Sequence, residues 1–200
     1  MRESNDLELR CRCGTVQGRV RGASPQTGTR LVCYCDDCQR FATVLGVADQ
    51  VLDAHGGTDV LHISPARIDL TSGIDHVACL RLTPRGIYRW YAACCNTPIG
   101  NTLPTGKVPF LSLIRACLRC DEDLLDAIVG PVRARLQGRF AVGDAAHLHI
   151  HPRAPLSMVL RAARKTIGWW VRGDQRRSPF FDNATTPISD PQLAPRRPPP

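Results

Sequence analysis

The sequence predicts a mainly β domain with a helical appendage at its C-terminal side. Three observations carry this reading. Short apolar runs recur between residues 7 and 90, and each ends at a Gly, Pro or Ser/Thr turn signal. Seven of the ten cysteines stand in three tight groups, Cys11/Cys13, Cys33/Cys35/Cys38 and Cys94/Cys95, as turns between strands would present them. After about residue 120 the pattern changes to acidic helix starts and a period near 3.6.

Taken in order, Leu7-Glu8-Leu9 predicts a strand, Cys11–Gly14 a turn, and Val16 with Val20 a returning strand. Ser24-Pro25-Gln26-Thr27-Gly28 is a loop. Leu31-Val32 leads into Cys33-Tyr34-Cys35-Asp36-Asp37-Cys38, which reads as a turn leaving a strand. Phe41–Leu52 is apolar and interrupted by Gly46. Strands are expected at Val60–Ile63, Ile68–Leu70, Val77–Leu82 and Ile87–Trp90. Asp121-Glu122-Asp123 starts a short helix that Gly130-Pro131 ends. A second helix runs from Pro155 to about Arg172, with Val159, Ala163, Ile167 and Trp170 as the stripe to be covered. From Ser178 onward the chain is rich in proline and is expected to be a disordered tail.

No apolar run reaches the roughly 20 residues a bilayer requires. The polar, mixed-charge start, Met1–Arg10, is not a secretory signal. A reducing, cytoplasmic location follows as the expectation, and in it close cysteines favour metal binding over disulfides. The net charge is +8. Most of the excess lies in residues 151–200, where nine Lys/Arg face three Asp. The expected metal domain is nearly neutral, so no nucleic-acid partner is expected. Neither a phosphate loop nor a dinucleotide fingerprint is present.

Cysteines one or three residues apart rarely reach the geometry of a disulfide with one another. They suit zinc, which thiolates bind at about 2.3 Å. The spatial partners of Cys117-x-x-Cys120 would be Cys79 or Cys94, and these thiols are read as core or surface groups. His147, His149 and His151 alternate. On a strand they would share one face, as a metal site or, preferably, as the polar face of an edge strand.

The order C-x-C-G at Cys11–Gly14, C-x-C-x-x-C at Cys33–Cys38, then Tyr88-Arg89-Trp90-Tyr91 leading to Cys94-Cys95-Asn96-Thr97-Pro98 resembles the glutathione-dependent formaldehyde-activating enzyme family, which includes centromere protein V relatives. The resemblance covers about residues 8–120. It implies an Mss4-like complex β fold with two zinc ions per chain. Cys11 and Cys13 would join a late C-x-x-C motif in a closed structural site. Cys33, Cys35 and Cys38 would hold the second zinc and leave its fourth position open. The implied activity is that of a carbon–sulfur lyase, forming or cleaving S-hydroxymethylglutathione from formaldehyde and a small thiol such as glutathione.

The late motif departs from the family pattern. Thr97-Pro98 puts Cys95 at its second cysteine and Ala92 at its first. Cys94 could substitute, although adjacent cysteines seldom aim both sulfurs at one metal. The first site is therefore completed by Cys94 or another group, keeps three thiolates plus water, or is absent. Asp36 and Asp37 are the nearest candidates for a general base. The domains expected are a zinc-binding β domain (8–120), a helix and strand extension (121–152), a basic amphipathic helix (153–175) and a disordered tail (176–200). The rival reading is a non-catalytic zinc module whose basic helix meets a partner or a membrane.

Overall fold

The computed structural model describes residues 5–195. It is mainly β. Strands β1 (Leu7–Arg10), β2 (Gln17–Val20) and β5 (Ile68–Ser72) form a three-stranded antiparallel sheet. Gly18 is required there, because a Cβ would stand 2.2 Å from the Asp69 carbonyl oxygen across the β2–β5 pair. The larger sheet has eight strands in the order β10-β3-β4-β9-β8-β7-β6-β13. Its antiparallel body is β3 (Gly28–Cys33), β4 (Thr58–Ile63), β6 (Val77–Arg81), β7 (Tyr88–Ala92), β8 (Thr97–Thr102) and β9 (Leu111–Ile114). Its two edges, β10 (Ala134–Leu136) and β13 (Gln192–Leu193), pair in parallel with β3 and β6.

Alternation along each strand divides the side chains between two faces. On one face Leu61, Ile63, Trp90, Leu111 and Leu113 join Leu7, Leu9 and Val16 in the larger core. On the other, Val60, Leu80 and Ile114 pack against Phe41 of α1 (Asp36–Val44) and Leu45, which caps that helix. The run that follows Cys33 is thus a helix, where the sequence predicted only a turn. Its second half continues through Gly46 at φ +69° into α2 (Ala48–Val51).

Arg30 pins α3 (Glu122–Val129) to the sheet. Its side chain is 3% exposed and donates to Asp59 at 2.6 and 3.0 Å, to Glu122 at 3.1 Å and to Asp126. Three carboxylates around one buried guanidinium offset its desolvation.

Three expectations about the C-terminal part are corrected. The α4 helix (Leu156–Val171) forms as predicted, but it packs through Met158, Ala162, Lys165, Thr166 and buried Trp169. The predicted stripe points outward: Val159, Ile167 and Trp170 are 48, 60 and 56% exposed. The helix carries two apolar faces, and the sheet takes the one centred on Trp169.

The supposed disordered tail is ordered as far as residue 195. Phe180 and Phe181 are buried against Trp90, with ring centroids 5.1 and 5.8 Å away. They open the hairpin of β11 (Phe181–Asp182) and β12 (Thr186–Pro187). Upstream, buried Asp174 accepts from Ser64 at 2.7 Å and from Arg177 at 2.6 Å. A proline-rich composition hid two aromatic anchors. Residues 196–200 of the expected tail lie outside the described residues.

The alternating histidines do not form a strand. His147 lies in a single 3-10 turn, and His149 ends that turn in the left-handed region at φ +50°. His151 makes an isolated bridge to Leu136.

Candidate metal centres

Two groups of cysteines converge, and each could hold a metal ion. All ten cysteines are free thiols. The first group is Cys11, Cys13, Cys94 and Cys95, with sulfurs mutually within 4.8 Å. Cys11 and Cys13 come from the loop between β1 and β2, which Gly14 closes at φ +84°. Cys94 and Cys95 come from the turn between β7 and β8. The Sγ of Cys94 lies 3.8 Å from that of Cys11 and 3.3 Å from that of Cys13, and the first pair is 3.5 Å apart. Tetrahedral thiolates at about 2.3 Å from one ion stand about 3.8 Å apart, so these spacings fit the donor set.

Adjacent Cys94 and Cys95 both belong to the group. Asn96, at φ +58°, folds the chain back immediately after them, and its side chain donates to the Leu45 carbonyl at 3.1 Å. Ala92 is buried at the end of β7 and takes no part. Hydrogen bonds from the Thr15 hydroxyl and backbone and from Cys94 bring Cys13 down to about 6, while burial and its sulfur neighbours push Cys94 up to about 12. Four thiolates gathered this closely together require a cation.

The second group is Cys33, Cys35 and Cys38, again within 4.8 Å. Cys33 ends β3, and Cys35 caps the N-terminus of α1, its sulfur accepting from the Cys38 N–H at 3.4 Å. The spacing C-x-C-x-x-C brings the sulfurs together because the last two are three apart across the first helical turn. Hydrogen bonds from the Cys33 and Cys38 thiols hold Cys35 at about 2, helped by the Cys38 N–H and Arg89. The bond to Cys35 raises Cys33 to about 11, and bonds with Cys33 and Cys35, together with burial, push Cys38 well up. Among the described residues no fourth Cys, His or carboxylate joins this group.

Arg89 is the residue the sequence reading passed over. It is 2% exposed, donates to Asn101 at 3.2 Å and to Asp37 at 3.2 Å, and lies over the Phe41 ring. Its signal was an arginine in the middle of the aromatic run Tyr88–Tyr91, in a strand buried on both faces. Asp37 is consequently an ion-pair partner at the helix start, and Asp36 accepts from the Asp37 N–H at 3.0 Å.

Cys117 and Cys120 join neither group. Cys117 is fully buried and within 3.1 Å of the Ile114 carbonyl, and Cys120 packs on the edge of the larger core. A cleft of about 580 Å³ lined by Arg12, Arg115 and Arg119 borders the first group. Among the described residues no helix is long and apolar enough to cross a membrane.

A large mixed sheet that presents one four-sulfur and one three-sulfur cluster defines a β protein equipped for thiophilic metal ions. The chain belongs to a family of unknown function (DUF6151), matched over residues 3–190. No curated protein matches it.

Proposed function

We propose that the chain is a zinc-dependent carbon–sulfur lyase of the formaldehyde-activating type, with an Mss4-like fold, acting on S-hydroxymethylglutathione or a related thiol adduct. The observation that carries this is the unequal donor count of the two clusters. Four sulfurs make a closed structural centre, whereas three leave a position for a further ligand. Free thiols throughout agree with a reducing, cytoplasmic setting.

A zinc ion held by Cys33, Cys35 and Cys38 would supply Lewis acidity and favour the thiolate form of a substrate thiol. The chain's own residues do the rest. Cys35 is fixed by the Cys38 N–H, so its sulfur is oriented before a ligand arrives. Arg89, held by Asp37 and Asn101, places a permanent positive charge beside the cluster. In the forming direction the thiol loses its proton and its sulfur bonds to the formaldehyde carbon. The C=O π pair moves to oxygen, which gains a proton. The adduct R–S–CH2–OH results with no net oxidation, and cleavage is the reverse.

The experiment is exchange spectroscopy by NMR on zinc-loaded protein with formaldehyde and a thiol. Acceleration of adduct exchange by the native chain, and none by Cys35→Ser, is expected. That variant should also lose about one zinc per chain while keeping its circular dichroism. Equal exchange rates for the two proteins would sink the proposal. The exposed apolar face of α4 favours a second reading, a metal-stabilised module that docks through that helix, and that reading predicts no acceleration over the uncatalysed exchange.

A further inference from the structure

The sheet face that carries Cys33 also floors an apolar cavity of about 380 Å³ beneath α4. Its wall includes Leu31, Leu103, Phe110, Leu136 and Met158. Two of these are neighbours of the three-sulfur cluster. Leu31 precedes Cys33 by two residues on β3, and alternation puts both on one face. Leu136 is the register partner of Cys33 in the parallel β10–β3 pair. Two residues of the cavity wall thus stand beside Cys33 in the sheet, although the three sulfurs themselves do not line it.

His62 stands in the same wall. It is 4% exposed, and its Nε2 is buried without a hydrogen-bond partner. Phe110 and Trp169 flank its ring at 5.1 and 5.0 Å. A buried imidazole nitrogen without a partner is costly unless something satisfies it. Charge is nearly absent from this compartment. Lys165, close by, is spent on the Pro25 and Gly28 carbonyls and the Thr29 hydroxyl, and Arg161 alone reaches the rim. The arginine-lined cleft lies at the other cluster. A cavity of about 150 Å³ already holds benzene, so this one has room for a larger apolar group.

We propose that this cavity receives the organic part of the ligand of the Cys33–Cys35–Cys38 centre, and that this ligand is an uncharged, apolar thiol or its aldehyde adduct, with His62 forming one hydrogen bond to it. The proposal rests on the lyase reading and narrows its substrate class. A tripeptide thiol with two carboxylates finds no place in such a wall, because desolvating unpaired carboxylates is prohibitive.

The test uses full-length protein loaded with cobalt in place of zinc, and three probes: 1-hexanol, 1-hexanethiol and glutathione. Calorimetry reads occupancy of the cavity, and the visible cobalt spectrum reads sulfur arriving at the metal. Hexanol should bind the native chain and Cys35→Ser alike. It should bind about fivefold more weakly to His62→Leu, as the loss of one hydrogen bond predicts. Ala162→Phe, which fills the cavity, should abolish binding. Val159→Trp does the same from the half-exposed mouth and leaves the core untouched, so a folding defect in the first variant does not decide the matter. Hexanethiol should shift the cobalt spectrum at concentrations where glutathione does not. Absence of hexanol binding, or binding indifferent to both filling variants, overturns the cavity assignment. A spectral response to glutathione and none to hexanethiol overturns the substrate class and leaves the metal centre standing. Hexanol binding with a cobalt spectrum silent to both thiols overturns the link to the metal and the lyase reading with it.

Discussion

At the scale of single residues, sulfur geometry decides more than sulfur spacing. Cys11–Cys13 and Cys33–Cys38 are legible as ligand groups because their members are close in sequence. That Cys94 joins Cys11, eighty-three residues away, follows only from the β7–β8 turn and the left-handed Asn96. Cys94→Ser should therefore cost about one metal ion per chain and leave the three-sulfur cluster loaded, as elemental analysis would show; unchanged metal content would contradict the assignment. His62 makes a second prediction at this scale. Burial, then the charge of Lys165, lowers its pKa from 6.5 to about 4. The folded state thus binds fewer protons than the unfolded state between these values. Its contribution is complete above pH 6.5 and is lost as pH falls through 4, by up to about 3 kcal/mol. Denaturant titrations at pH 7 and pH 4.5 should show native stability falling and His62→Leu flattening that part of the profile.

Among elements, the first strands were readable because alternation and turn residues agree there: β1, β4, β5, β6 and β7 lie within a residue or two of their predicted spans. Within the β domain expected over residues 8–120, β8 and β9 went unread. β8 is buried at every position and has the composition Thr-Pro-Ile-Gly-Asn-Thr, so neither alternation nor β-branched density marks it. The α4 helix was readable as a helix but not as to which face it buries, since apolar residues occur on two sides of it. The C-terminal hairpin shows the same ambiguity. Its prolines suggested disorder, yet Phe180 is fully buried against Trp90. Phe180→Ala should destabilise the protein by about 3–5 kcal/mol. A chain ending at residue 178 should melt at a lower temperature than the full chain. Equal melting temperatures would mean the hairpin is not part of the cooperative core.

For the whole molecule, the first sulfur cluster closes distant strands by tying the β1–β2 loop to the β7–β8 turn, and the second fixes the local junction between β3 and α1. Metal binding should accordingly couple to stability. Removal by a chelator should lower the melting temperature, and restoring zinc should recover it. The apparent metal affinity should fall as pH drops, because protons compete for the thiolates; titrations at two pH values against a common chelator measure it, and pH-independent affinity would argue against thiolate ligation. The sequence alone determined that the chain is mainly β, that thiols in C-x-C and C-x-C-x-x-C groups would gather in two places, and that a helix near residues 155–172 would follow. These are local properties, carried by alternation, turn chemistry and spacing. Only the tertiary structure decided which late cysteines complete the first cluster, that Arg89 lies beside the second, that the tail packs into the core, and that an apolar cavity with His62 in its wall lies beneath α4. Those features join residues far apart in the chain, and their positions are set by strand order, register and the choice of buried face, none of which a local pattern encodes.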